Sequence, residues 1–566
     1  MEKIIEKKNC KNCGQNFNIS DKDVKFYERM AVPRPDFCPT CRQQRRTALR
    51  NESTLYYRKC DFTGEKIISL YSEDKPYKVY KTDIWWTDKW NALDYGQKFD
   101  FSRPFFEQFK ELQLKVPRPA LTIATLENSP FVNQVWYSKN CHLCFDAGWV
   151  EDGLYCYGTY HCKNLVDNDS ARECELCYGL LDSQKCYNAV VLKDCSNCHD
   201  AYFSFDCKGC ANIAFCSNLR NKNYYIFNKP VSKEEFGKFT QEFKQGSCSN
   251  FQKYTKDFKE KVLAKAIHKL DHNLNAENCT GDYILNSKNC HDSYLCDSCQ
   301  DLKYCTRMDE RIYDSMDLDN CSICELGYDC MCMNGVNVKF CTYTYMDGNN
   351  CTYCDITMAS SNCFGCIGLQ HKNYCVLNKQ YTKEEYEKLV PKIIEHMRKA
   401  PSSGGLSTEW GAIFPISVSA FCYNETLAYE YFPLTKEEVL SKGYKWKDVD
   451  KKEYQKQTCE LADSISGVTD AITNEILACE TRLSDGQACG KNYKITQAEF
   501  NFYKKIGLPI PRKCHTCRHL ERISFRNPRR LAERNCDKCS AKIITTYTKE
   551  NPVTVYCEKC YLSAVI

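Results

Sequence analysis

Residues 514–539 read CHTCRHLERISFRNPRRLAERNCDKC, and residues 38–63 read CPTCRQQRRTALRNESTLYYRKCDFT. The two stretches are copies at a constant offset of 476 residues, which also brings Cys13 onto Cys489, Tyr27 onto Tyr503, Pro33 onto Pro509 and Tyr80 onto Tyr556. A gapless match of this length at both ends of a chain is an internal repeat. Everything else lies between the copies.

The N-terminal copy opens with two Cys-x-x-Cys knuckles, Cys10/Cys13 and Cys38/Cys41. Four soft sulfur ligands in two such pairs suit tetrahedral zinc. Ser20 with Asp23 forms a capping box that starts a short helix through Tyr27. The C-terminal copy supplies a second set, Cys536/Cys539 with Cys557/Cys560, whose N-terminal counterparts are Cys60, Thr63, Lys81 and Ile84. One ligand of four survives there, so residues 60–84 are expected to keep a ribbon hairpin without metal, held by Tyr71, Tyr80, Trp85 and Trp86. The counterpart of Cys10 is Gly486, which leaves Cys489, Cys514 and Cys517 one ligand short. Cys479 is the nearest candidate, with a nine-residue spacer in place of two. Thiolate zinc needs a tetrahedral arrangement rather than a fixed loop, so a third site is expected, giving about three zinc ions.

The pattern CxxCG…FY…P.P..CP.CR..RR resembles a small bacterial zinc-ribbon family, over about forty residues at each end. The wider layout resembles a group of Cys-rich proteins of small-genome bacteria. The resemblance implies zinc ribbons at both ends and brings no activity with it.

After each second knuckle come arginines four residues apart, Arg42/Arg46/Arg50 and Arg518/Arg522/Arg526, followed in the C-terminal copy by Arg529 and Arg530. Four-residue spacing aligns them along one helical face. A guanidinium ladder of this kind can fork onto successive phosphates, which makes RNA or DNA an expected partner. Pairing with the module's own acids is the plainer alternative. Charge follows the same division: residues 1–60 hold 14 Lys/Arg against 7 Asp/Glu and residues 479–566 hold 17 against 8, although the net charge of the whole is only +5. Two basic ends flank an acidic middle.

That middle is itself a duplication, with SKNCH at residue 138 repeated at 287 and NKNYYIFNK at 221 repeated as HKNYCVLNK at 371. Cysteines recur about every 21 residues, as in Cys174, Cys195 and Cys216, between short Tyr/Phe/Val segments and Asn, Asp, Ser and Gly turns. Such a period suggests one coil of a parallel β-helix-like solenoid with stacked, reduced cysteines in its core. Knuckle-like spacings such as Cys141/Cys144 and Cys363/Cys366 follow from coil packing alone. His142, His199 and His291 beside some of these cysteines are read as turn residues.

The expected organisation is therefore multidomain and mainly β. An N-terminal ribbon module spans residues 1–90, and a connecting helix and linker span 91–137, with Ser102 as N-cap. Solenoid halves at 138–230 and 279–380 flank a helical insert at 231–278. Residues 381–478 hold a helix, the PSSGG linker and an irregular segment, and 479–566 a double ribbon. Capping boxes at Ser232/Glu235 and Thr382/Glu385 start two of the helices. No apolar run approaches a membrane span, and MEKIIEKKNC lacks a signal-peptide core, so a cytoplasmic protein with no membrane partner is expected. With 43 Cys in a chain of 566 residues lacking an export signal, reduced thiols and metal ligands fit better than disulfides. No Walker A, dinucleotide, G-x-S-x-G or H-E-x-x-H motif is present, so no catalytic residues or small-molecule substrate are assigned. The reading is a non-enzymatic zinc-binding protein that contacts nucleic acid. A protein-interaction scaffold whose ribbons cap the solenoid is the alternative, and redox or metal storage by the central cysteines a third.

Overall fold

The structure is a computed structural model that describes residues 3–166, 177–178, 187–193, 199–309, 312–321, 324–325, 327–328, 335–336, 339–340, 344–345, 349–400, 408–411, 414–448, 455–482 and 489–565. The PSSGG linker and two of the period-setting cysteines, Cys174 and Cys195, lie outside these residues. Seven helices matter below: α1 (Asp21–Arg29), α2 (Pro39–Thr47), α3 (Phe105–Lys115), α4 (Lys233–Phe243), α5 (Lys383–Lys399), α6 (Gln497–Ile506) and α7 (His515–Ile523). The larger part of the regular structure is sheet, and the longest sheet runs parallel from Ile123–Glu127 to Asn223–Ile226.

The chain divides into two compact units. Unit 1 is Met1–Leu121, Asp271–Lys447 and Arg529–Leu531; unit 2 is Thr122–Leu270, Asp448–Pro528 and Ala532–Ile566. Each unit thus joins one terminal cysteine module to the parallel ladder that is remote from it in sequence.

The ladders repeat every twelve residues. In unit 2 Ile123 pairs with Val135, Val135 with Ala147 and Ala147 with Thr159, and further on Ala189 pairs with Ala201 and Ala201 with Ile213. In unit 1 Gly281 pairs with Ser293, and Asn349 with Ser361, which pairs with Asn373. An occasional rung takes thirteen, as where Thr306 meets Asp319. The period of about 21 expected from cysteine spacing is therefore corrected to twelve.

A three-residue rhythm explains the difference. Gln134, Tyr137, Asn140, Leu143, Asp146, Trp149, Asp152 and Tyr155 all have left-handed φ near +50 to +60°. The residue after each such corner points inward, so Cys141, Cys144, Ala147, Val150 and Cys156 are all at most 1% exposed. Inward positions fall every three residues and rungs every twelve, so a cysteine spacing of 21 is one rung plus three corners. Cys-x-x-Cys arises wherever two neighbouring inward positions are both cysteine.

Left-handed backbone costs a residue with a Cβ roughly 1–2 kcal/mol, and Asn and Asp tolerate it best. The ladder offsets this cost by stacking like side chains at the corners. Asn128 donates to Asn140 and Asn140 to Asp152, each at 2.9 Å, and Asn278 donates to Asn289 and Asn289 to Asp301, each at 2.8 Å. Aromatic rings do the same: Phe203, Phe215 and Phe227 stack at 5.3 and 4.8 Å, and Tyr137, Trp149 and His161 at 5.3 and 4.7 Å.

Helices pack over the ladders. Ser232 and Thr382 cap α4 and α5 with complete capping boxes, and α4 buries Phe236 and Phe243. Ser102 does not cap α3. Its N-cap position is Pro104, and the free N–H groups of Phe105 and Phe106 donate to the buried carboxylate of Glu409 at 2.8 and 3.0 Å. Phe105, Phe109 and Leu112 of α3 are fully buried in the unit 1 core with Tyr353, Phe364 and Trp410.

Candidate metal centres

In unit 1, Cys10 directly follows the first strand of a hairpin, Ile4–Asn9, and Cys38 is the N-cap of α2, with Cys41 in its first turn. The hairpin and the helix start bring Cys10, Cys13, Cys38 and Cys41 together, with all four sulfurs within 4.8 Å of one another. Cys13 and Cys38 sulfurs are 3.8 Å apart, which matches the separation of about 3.8 Å that tetrahedral Zn–S bonds of about 2.3 Å would give. The backbone N–H of Cys38 donates to the Cys10 sulfur at 3.2 Å. A hydrogen bond from Cys41 holds the Cys38 thiol down to about 5, while the same contact and burial drive Cys41 up. Four thiols this close cannot all ionise without a cation among them.

Unit 2 has two such groups. Cys479, Cys489, Cys514 and Cys517 converge, with Cys489 and Cys517 sulfurs 3.4 Å apart and Cys514 N–H on the Cys479 sulfur at 3.3 Å. The four sulfurs thus converge although nine residues separate Cys479 from Cys489 in sequence. Cys536, Cys539, Cys557 and Cys560 form the other group. Burial raises the Cys536 thiol, but backbone N–H donors from Cys557, Cys539 and Lys538 outweigh it and bring it to about 6. In donor type, number and spacing all three groups fit zinc, and among the described residues they are the groups of three or more cysteines this close together.

The one-ligand copy keeps its scaffold. Tyr56–Lys59 pairs with Lys66–Ser69 in the register of Ala532–Asn535 with Lys542–Thr545. The Cys60 sulfur accepts the N–H of Lys81 at 3.2 Å, as Cys536 accepts that of Cys557. Asp61 accepts Val79 N–H at 2.7 Å, as Asp537 accepts that of Val555. Trp85, fully buried, packs edge-on against Trp86 at 4.6 Å. Backbone and aromatic packing therefore carry the hairpin where ligands are lost.

Five of the eight arginines are buried. Arg42, Arg46 and Arg50 are at most 2% exposed, and Arg518 and Arg522 at most 8%. Arg42 reaches Asp317 at 2.9 Å, Arg46 reaches Asp319 at 2.7 Å and Asp317 at 3.3 Å, and Arg50 reaches Glu52 at 2.5 Å. Arg518 lies over the ring of Tyr155 at 4.8 Å and 3.5 Å from Glu499. His515 and His519 stack on Tyr155 and Tyr157 at 5.7 and 4.6 Å. Arg526 is half-buried and Arg529 lies 4.0 Å over Tyr431, while Arg530 is exposed. The expected phosphate-facing ladder is thus corrected: Arg42 and Arg46 on α2 turn onto Asp317 and Asp319 of the parallel ladder, Arg518 on α7 turns onto Tyr155 and Glu499, and Arg50 and Arg526 lie beyond the ends of the two helices. Asp317, Asp319 and Tyr155 carried no motif that would have marked them as partners.

The described central cysteines are inward ladder residues. Cys351, Cys363 and Cys375 pair rung to rung and are at most 2% exposed, with Cys354 and Cys366 beside them. Among the described residues the cysteines are free thiols.

No protein-family model, curated protein or solved structure matches the chain. What stands is a Cys-rich, mostly sheet protein with three tetracysteine groups compatible with zinc-ribbon-like sites.

Proposed function

We propose that the protein is a non-enzymatic, zinc-stabilised scaffold. Its ribbon modules clamp the two halves of a β-helical solenoid, whose outer faces are left for protein partners. Four-cysteine zinc sites are closed and serve structure rather than hydrolysis. The observation that carries the reading is the burial of Arg42 and Arg46 on Asp317 and Asp319. This ties the helix that begins at Cys38 to a ladder some 270 residues away. Nucleic-acid binding through the same arginines is the lesser reading, because most of their guanidinium groups are committed inside the protein.

Hydrogen exchange of the full chain before and after zinc chelation tests this. Loss of metal should speed exchange in α2 and, together with it, in the Asp317–Asp319 rungs. Faster exchange confined to the cysteine loops would contradict the clamp. Retention of mixed RNA on a filter at low salt, abolished by Arg530→Ala, would restore the nucleic-acid reading.

A further inference from the structure

Between the parallel ladder and α6 in unit 2 lies a cleft of about 580 Å³. Unit 1 has its counterpart, about 310 Å³, between its ladder and α1. Both volumes are in the range of small-molecule sites. The two clefts are built from matching residues. The 476-residue offset carries Phe26 and Arg29 onto Phe502 and Lys505, and an offset of 149 carries Asn140, His142 and Asp152 onto Asn289, His291 and Asp301.

The copies differ in how their charges are used. Unit 1 fills its cleft with its own ion pairs, Arg29 with Asp314 at 2.6 Å and Lys303 with Asp23 at 2.8 Å. In unit 2 the position of Lys303 is taken by Leu154 and that of Arg29 by Lys505. Asp152 accepts the Asn140 amide at 2.9 Å and makes no ion pair among the described residues, and neither does Lys505. One carboxylate and one ammonium thus line the same cleft outside any ion pair, with Lys139 acting on Asp152 only at longer range. Phe131, Leu154 and Phe502 give the same cleft its apolar wall. The ring of His142 packs edge-on against Phe131 and Tyr155 at 5.4 and 5.9 Å. Burial lowers its pKa, so the imidazole is neutral near pH 7 and has a nitrogen available to donate and one to accept.

An anion and a cation outside any ion pair, beside an apolar wall, complement a molecule of opposite polarity. We propose that the unit 2 cleft binds a free amino acid with an apolar side chain, its ammonium on Asp152, its carboxylate on Lys505 and its side chain against Phe131 and Phe502. The unit 1 cleft is the self-occupied copy, with the Arg29–Asp314 pair in place of the ligand's two charges.

Calorimetric titration of the full chain with L-phenylalanine tests the assignment, with N-acetyl-L-phenylalanine and L-phenylalaninamide as probes that lack one charge each. Saturable binding of the zwitterion is expected, weakened about tenfold or more for either blocked probe, because each loses one charge-assisted hydrogen bond. Asp152→Asn and Lys505→Gln should each weaken it to a similar degree, whereas Arg29→Gln should leave it unchanged. Lys505 is exposed, so its variant keeps the test valid should Asp152→Asn fail to fold. Absence of saturable heat at millimolar probe, equal binding of the blocked probes, or full affinity in a folded Lys505→Gln protein would overturn the proposal.

Discussion

Arg46 donates its Nε–H to Asp319 at 2.7 Å, across 273 residues of sequence, with both side chains buried. Asp317 accepts from the same guanidinium and from Arg42. Two carboxylates and two guanidinium groups are therefore desolvated together, a state that is stable only while every member keeps its partners.

Arg46→Met removes one cation, strands the Asp319 carboxylate and leaves Asp317 to Arg42 alone. It should destabilise unit 1 by about 3–5 kcal/mol, read as a lowered urea midpoint by tryptophan fluorescence. Adding Asp319→Asn, which removes the stranded charge and leaves the Arg42–Asp317 pair intact, should recover a large part of the loss. No recovery would mean that Arg46 acts through packing alone.

The left-handed corners predict an inverted substitution pattern. Asn289 has φ near +55° and bridges Asn278 and Asp301. Asn289→Val should cost about 2 kcal/mol by forcing a β-branched residue into this region. Asn289→Gly, free of that strain, should cost only the amide contacts, about 1 kcal/mol. Equal stability of the two variants would show that the corner is not strained.

The two kinds of cysteine should separate cleanly. Cys363→Ala trims a buried inward residue and should cost about 1 kcal/mol with metal content unchanged. Cys38→Ala should lose one metal per chain and unfold α2. Loss of metal from the Cys363 variant would instead place a ligand in the ladder.

Lys110 sets a pH dependence. Burial, reinforced by Lys445 and Arg118, lowers its pKa from 10.5 to about 7, and its ammonium is held by the Tyr77 hydroxyl and Gln113 at 3.0 Å. Between these two values the unfolded chain binds the extra proton, so this group makes unit 1 more stable as pH rises from about 7 towards 10.5. Lys110→Met should flatten that rise in urea midpoints. An unchanged slope would exclude Lys110 as its source.

Much of the metal chemistry was legible in sequence. Paired knuckles and the 476-residue repeat pointed to Cys10, Cys13, Cys38 and Cys41 and to their C-terminal counterparts, and the capping boxes at Ser20, Ser232 and Thr382 mark real helix starts. The ladder's period was obscured because inward positions alternate cysteine with Ala, Val, Gly and Thr, so the eye follows 21 rather than twelve. Asparagines spaced by twelve, such as Asn128 and Asn140, were the better signal. The fate of the arginines was not legible, since a helix face fit for phosphate is equally fit for a buried carboxylate, and Asp317 and Asp319 are remote in sequence. Glu409 capping α3 escaped for the same reason.

Elemental analysis of the purified full chain beside its absorption spectrum tests the central claim most directly. The account predicts about three zinc ions per chain and no visible absorbance, falling by one ion each in Cys38→Ala, Cys514→Ala and Cys557→Ala. A coloured iron–sulfur spectrum, or metal well above three ions that survives all three substitutions, would contradict it.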